Sequence, residues 1–339
     1  MFGVGFTAGK IEDRNRSNWD GDGFRPLAWS AWYPTEDTVE KAAPSEEPAR
    51  SFFLTEDALC DARLPSRQEI YPVVLLSHGT GGTAAALGWL GSRLAKAGFV
   101  AIGVDHHGNT ASERYRPEGF LCWWERARDL TVLLDHHIAE GKFAGRIDPD
   151  RAFAAGFSLG GYTVLSLLGA ITDMTLFLDW AHDKPWGNGP REFPDLGGQV
   201  SPLQETSAVF RASWNRQSSS SKDARIKAAL LCAPAPTVRG LTEESLSEIV
   251  APIAIAAVGA DNEAPSDLCA EWVHRRLPNS TLDLIDPMAG HYAFLCECSE
   301  WGRAHEAEIC IDPPGVDRRR VHDRAAALAI DLFLKTTLT

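Results

Sequence analysis

The sequence predicts one α/β domain over residues 1–339, with a mostly parallel central sheet flanked by helices. Short apolar runs recur down the chain with amphipathic stretches between them, the rhythm of strands joined by crossover helices. One run, Arg151-Ala152-Phe153-Ala154-Ala155, leads into Gly156-Phe157-Ser158-Leu159-Gly160 and then an apolar stretch from Tyr162 to Ile171. That reads as strand, sharp turn and helix, the two glycines allowing the turn that lifts a serine hydroxyl out of the sheet. The composition, 44% hydrophobic and 23% charged, is that of a globular chain with a sizeable core.

In chain order, Ala28 to Tyr33 is an early strand ending at Pro34, and the acidic, proline-bearing stretch from Thr35 to Arg50 is an exposed loop. Val73 to Ser77 is a buried strand, followed by a helix with Leu87, Leu90 and Leu94 on one face. Phe99 to Val104 is a strand, and Ala127, Leu130, Leu134 and Ile138 mark the next helix. Arg151 to Gly156, Ile226 to Cys232, Pro252 to Val258 and Thr281 to Ile285 are the remaining strands, and an amphipathic helix closes the chain from about Arg319 to Leu334. In such sheets ligands bind beyond the carboxyl ends of the strands.

Residues 171–225 break the rhythm with Pro185, Pro190, Pro194, Pro202 and the serine tract Ser218 to Ser221. Phe177, Trp180, Trp186, Phe193, Phe210 and Trp214 make the interval aromatic, and disordered segments are aromatic-poor. The reading is a lid-like insertion after the serine helix; the alternative is a disordered surface loop.

A formal net charge of −13 argues against nucleic acid and anionic membrane surfaces as partners. Asp173 and Asp179 interrupt the longest apolar window, which therefore reads as buried helix and not as an integral membrane span. Met1 to Lys10 lacks a basic region followed by an apolar one, so a cytoplasmic location is expected. Cys60, Cys122, Cys232 and Cys269 read as small buried hydrophobes in a reducing compartment. Cys296-Glu297-Cys298 with Cys310 lacks the second pair a zinc site needs; a Cys298–Cys310 disulfide is the alternative reading. His136 and His137 share a helix with no acid at ligand spacing, so no metal and no cofactor are expected.

A serine hydroxyl needs a base, an orienting acid and an oxyanion hole, found in this kind of sheet in the order Ser, acid, His. Asp261 follows the strand Pro252 to Val258, and His291 follows the last strand in Asp286-Pro287-Met288-Ala289-Gly290-His291. Ser158, Asp261 and His291 are the candidate catalytic residues, with Glu263 able to take the place of Asp261. Asp283 and Asp286 read as solvated or capping, His274 as surface, and His305 and His322 as structural. The backbone N–H of Leu159 is one expected oxyanion donor, and that of Thr80, in His78-Gly79-Thr80-Gly81-Gly82, is the other. Candidate substrate contacts are Trp186, Trp214 and His106, the last in a turn that is equally readable as support for the pocket.

These pieces resemble the α/β-hydrolases, and more narrowly the predicted dienelactone hydrolases and bacterial relatives of platelet-activating factor acetylhydrolase. The matching residues are Trp32-Tyr33-Pro34, Ser77-His78-Gly79, Asp105-His106 with Gly108-Asn109, Ile147 to Arg151, Gly156 to Gly161, Arg225 to Ala228 and Gly290 to Leu295. The resemblance places the family's acid four residues before a proline, which fits Asp261 and Pro265. His107 stands where relatives often carry proline, and residues 171–225 follow no shared pattern. Dienelactone hydrolases proper use a cysteine, so Ser158 implies ordinary hydrolysis of a small carboxylic ester, with phospholipid acetylhydrolase or lipase-like activity, or a silent binding protein, as alternatives.

Overall fold

The computed structural model describes residues 2–37, 51–66 and 70–337, so most of the loop expected between Thr35 and Arg50 lies outside the described residues. Among the described residues one sheet runs in the order β3-β1-β2-β5-β4-β6-β7-β8-β9. Its strands are β1 (Gly3–Ser17), β2 (Phe24–Thr35), β3 (Leu59–Cys60), β4 (Tyr71–Ser77), β5 (Val100–Asp105), β6 (Ile147–Phe157), β7 (Ile226–Cys232), β8 (Ile253–Val258) and β9 (Ser280–Asp286). From β5 to β9 every pairing is parallel, and β2 joins β5 antiparallel.

The sequence reading anticipated each strand from β4 to β9 but neither the short β3 nor β1, which pairs antiparallel with β2 as a long hairpin. Its run Lys10-Ile11-Glu12-Asp13-Arg14-Asn15-Arg16-Ser17 is dominated by polar side chains, so the alternation that marks a half-buried strand is weak there.

The core lies on both faces of the sheet because neighbouring residues of a strand point to opposite sides. Val73, Leu75, Ala152 and Ala154 pack with Leu130 and Leu134 of α3 (Glu125–Ala139) on one face. Val74, Leu76, Phe153 and Ala155 pack with Leu90 and Leu94 of α1 (Gly88–Lys96) and with Val321 and Phe333 of the C-terminal helix Arg318–Thr337 on the other. Phe153 stacks on Phe333 with ring centroids 4.6 Å apart. A further helix against the sheet is α4 (Leu159–Leu167), which starts immediately after Ser158 and is buried along its whole length.

Residues 171–225 contain ordered pieces, chiefly the helices Met174–Ala181, Val200–Thr206 and Ala208–Trp214. Asp173 and Ser207 cap the first and third of these, accepting from the amides of Thr175 and Phe210.

Two cysteine expectations need correction. Cys60 is exposed, because β3 is a two-residue edge strand. Cys298 and Cys310 form a disulfide, their Cα atoms 5.4 Å apart, whereas Cys296 remains a buried thiol. No helix among the described residues is long and apolar enough to cross a membrane.

Candidate active site

β4, β6, β8 and β9 all deliver their C-terminal loops to the same end of the sheet, which is how residues 78 to 291 meet. Ser158 is the residue that takes the strained conformation, φ 54° and ψ −119°, at a cost of about 1–3 kcal/mol. The flanking glycines are required for a different reason than the turn itself. A Cβ on Gly156 would lie 2.1 Å from Gly160 O, and one on Gly160 would lie 1.9 Å from Ser77 O. Strand, elbow and helix pack backbone against backbone there, so any added Cβ must force them apart. The Ser158 amide is held by Cys232 O at 2.9 Å, which fixes the elbow to β7.

Ser158 Oγ lies 2.9 Å from His291 Nε2, and His291 Nδ1 lies 2.7 Å from Asp261 Oδ2. With the carboxylate as acceptor, His291 Nδ1–H donates to Asp261 and Ser158 O–H donates to Nε2. The amides of Glu263 and Ala264 donate to Asp261 Oδ1 at 3.0 and 2.7 Å, so the carboxylate is locked by its own turn. All three side chains are nearly buried, with 8% of Ser158 and 6% each of Asp261 and His291 exposed. Glu263 lines the cleft but accepts no hydrogen bond from His291, and its carbonyl accepts from Trp186 Nε1 at 3.0 Å. The order of the two acids is thus set by the turn, which aims Asp261 inward.

Thr80 and Leu159 both border the cleft, and among the described residues neither backbone N–H donates to a protein acceptor. Leu159 is the first residue of α4, whose opening amides have no carbonyl a turn earlier to bind. Gly81, with φ +63°, lets the loop after Thr80 double back.

The cleft measures about 1810 Å³. Residues 171–225 supply much of one wall, including Phe177, Leu178, Trp186, Glu192 and Trp214. Trp186 stacks on Trp180, and Trp214 packs edge-on against Trp124. Burial raises the Glu192 carboxyl above its ordinary value, with Glu263 adding to the effect against the pull of Arg191.

His106 is not a substrate contact. It is completely buried, absent from the cleft lining, and bonded through Nδ1 to Asp129 and through Nε2 to Ser77 Oγ, each at 2.9 Å. Burial, reinforced by Arg126, lowers its pKa to about 3, so the imidazole is neutral. Asp129 is the hub of this buried layer. Arg16 reaches it at 2.5 Å and Arg25 at 2.8 Å, both from the β1–β2 hairpin. Burial pushes the Asp129 carboxyl up, but Arg25, Arg16 and His106 together hold it well below the usual carboxylate range.

Sequence reasoning missed Arg126 and Asp129. The signal was present: they occupy positions on the same helical face as Leu130, Leu133 and His137, where an amphipathic helix carries apolar residues. Elsewhere, Asp286 caps the amides of Met288 and Ala289, and Asp283 pairs with Arg324. His322 is buried against Trp89, while His305 is exposed beside Trp301. His274 is half-buried and bonded to Ser280. Among the described residues no group of three His, Cys, Asp or Glu is placed to hold a metal ion.

The parallel sheet, the serine elbow after β6 and the carboxylate, imidazole and hydroxyl gathered at the strand ends make up the α/β-hydrolase fold. Residues 53–119 match the family model of platelet-activating factor acetylhydrolase, isoform II. The chain is 31% identical over 162 residues to cutinase est2 of Thermobifida alba, a match covering 45% of this chain and 51% of that protein. It is 36% identical over 101 residues to lipase 1 of a Moraxella species, covering 29% of this chain and 28% of that one. The matches thus span about half the length of these curated relatives or less. Among solved structures, a ferulic acid esterase from Streptomyces cinnamoneus superposes with a TM-score of 0.64 at 19% identity, covering 98% of this chain and 90% of that one.

Proposed function

We propose that the protein is a serine hydrolase that cleaves small carboxylic esters through a covalent acyl-enzyme. The observation that carries this reading is the unbroken hydrogen-bond path from Ser158 through His291 to Asp261 at the floor of an open cleft. Ser158 Oγ attacks the ester carbonyl while His291 Nε2 takes its proton, and the amides of Thr80 and Leu159 receive the negative charge on the carbonyl oxygen. Collapse expels the alcohol, which leaves with the proton from His291. Water then attacks the acyl-serine by the same route, releasing the acid and restoring the hydroxyl. Asp261 keeps the imidazole in the tautomer that can accept from serine. No cofactor is needed for any of these steps.

Residues 171–225 act as the lid of this domain, with Trp186 and Trp214 shaping the space for the substrate. The cutinase, lipase and ferulic acid esterase likenesses all support ester chemistry. A second reading, removal of an acetyl group from a phospholipid, is favoured by the family match at residues 53–119, which includes the Thr80 loop. The disulfide suits an oxidising compartment better than the cytoplasmic location expected from the N-terminal residues.

The test is a chain-length series of p-nitrophenyl esters beside an acetylated phospholipid, with fluorophosphonate labelling as the control. Ester turnover and labelling in the parent, both lost in Ser158→Ala with kcat down about 10⁴-fold or more, are expected. Labelling that survives in Ser158→Ala refutes the nucleophile, and a folded parent that neither turns over nor labels is a silent binder.

A further inference from the structure

Taking the ester-hydrolase reading as its basis, we propose that Arg126 is a positioning residue that fixes both oxyanion-hole amides, Thr80 and Leu159, through a single buried guanidinium.

Arg126 projects from α3 beneath the elbow and is 1% exposed. Its Nη2 donates to His78 O and, at 3.4 Å, to Ser77 Oγ. Its Nη1 donates to Asn109 Oδ1 at 3.3 Å, and the same oxygen accepts from the Gly81 amide at 2.8 Å. The Thr80 peptide is therefore clamped on both sides: at His78, two residues before it, and at Gly81, the residue after it. On the other edge of the guanidinium, Nε donates to Thr163 Oγ1 at 3.0 Å, and Thr163 donates in turn to Leu159 O at 3.0 Å. The second oxyanion amide belongs to that same Leu159. One planar cation thus sets the spacing between two donors that come from separate loops.

The choice of partners supports this over a role in stability alone. Each acceptor of Arg126 is neutral, and among the described residues it forms no ion pair, whereas the neighbouring Arg16 and Arg25 are both paired to Asp129. An interior cation without its own carboxylate is a poor source of stability. Burial pulls it down to about 9, with Asp129 acting the other way, so it remains charged at neutral pH. A fixed positive charge below the oxyanion site favours the tetrahedral intermediate over the neutral ester, and it needs no rearrangement during the reaction.

The experiment compares the parent with Arg126→Lys, Arg126→Gln and Thr163→Val. It measures kcat and KM on p-nitrophenyl butyrate, inhibition by a trifluoromethyl ketone and Tm. Deleting a direct oxyanion donor costs about 10²–10³-fold in kcat. Loosening both donors at once, in Arg126→Gln, should cost about 10²-fold, and loosening Leu159 alone, in Thr163→Val, about 10-fold. KM should stay within about 2-fold, the ketone should weaken in proportion to kcat, and Arg126→Lys should recover part of the loss. A Thr163→Val protein with the parent's kcat and ketone affinity overturns the proposal, and so does an Arg126→Gln protein that loses only Tm. Should Arg126→Gln fail to fold, Thr163→Val decides alone. A parent without ester turnover refutes the hydrolase reading instead, so the two failures are distinct.

Discussion

Gly160→Ala adds one methyl group at the point where the elbow helix meets the end of β4. The new Cβ would lie 1.9 Å from Ser77 O, 2.7 Å from Ser77 C and 3.0 Å from His78 O. Comfortable contact needs ~3.5 Å, so helix and strand must separate by about 1.5 Å. All three atoms are backbone, so no side chain can swing aside. Overpacking of this kind costs about 1–3 kcal/mol, and the better helix propensity of alanine returns up to about 1 kcal/mol. The net effect on stability is therefore modest, a loss of a few degrees in Tm. The effect on rate should be much larger, because the shift falls between the loop carrying Thr80 and the helix carrying Leu159. A displacement of about 1 Å in a reacting constellation costs ~10²-fold. Gly160→Ala is thus expected to fold, to lose two orders of magnitude or more in kcat, and to label slowly with fluorophosphonate. Gly198→Ala is the control, since a Cβ there meets nothing within 4 Å. Parent-like kcat and Tm in Gly160→Ala would show that the contact is not as rigid as argued.

Asp261→Asn should lower kcat by roughly 10²–10⁴-fold with little change in KM, while Glu263→Gln stays active, because only Asp261 holds His291; steady-state kinetics giving the reverse order would exchange the two acids. Stability should fall as pH drops from about 6.5 toward about 3. Burial lowers His106, His137 and His322 to about 3, so in this window the unfolded chain takes up protons that the native state refuses. Asp129, held low, keeps its contribution down to the ordinary carboxylate value of 3.8 and loses it progressively as pH falls further. Among the described residues His137 has no hydrogen-bond partner for either ring nitrogen, so His137→Phe should match or exceed the parent's Tm and flatten its acid dependence; a steeper acid loss counts against the argument. Reducing the Cys298–Cys310 disulfide, which spans a sequence separation of 12, should cost about 3 kcal/mol; an unchanged Tm after reduction confirmed by thiol titration contradicts that.

The parallel half of the sheet was legible because strands buried on both faces are continuous apolar runs, as in Val73-Val74-Leu75-Leu76. Ser158 was legible because it directly follows such a run, and Asp261 because it stands in the turn after β8; His291 was legible from its loop position after β9, an edge strand in which only Ile285 is buried. The hairpin strand β1 was not, since a strand with polar side chains along half its length lacks that signature. Arg16, Arg25 and Asp129 were hidden for a related reason: a charged residue in a sequence reads as solvated unless its partner is known, and these partners lie 104 and 113 residues apart. His106 illustrates the limit at the site itself. Its position after β5 is correct for a ligand contact, yet its ring turns inward toward Asp129, which only the fold reveals.

Those long separations have a consequence for how the chain matures. Asp129 belongs to a helix that can form from local sequence, but the two arginines that neutralise it arrive from the N-terminal β1–β2 hairpin. Contacts so distant in sequence close late, because loop entropy opposes them until the intervening chain is compact. Until the hairpin docks, the layer under Ser77 and His78 contains an acid with no cation of its own, which favours swelling and entry of water. The loop that bears Thr80 rests on that layer. Assembly of the N-terminal hairpin is therefore the event that turns a collapsed chain into a competent one, although no residue of the hairpin reaches the reacting groups.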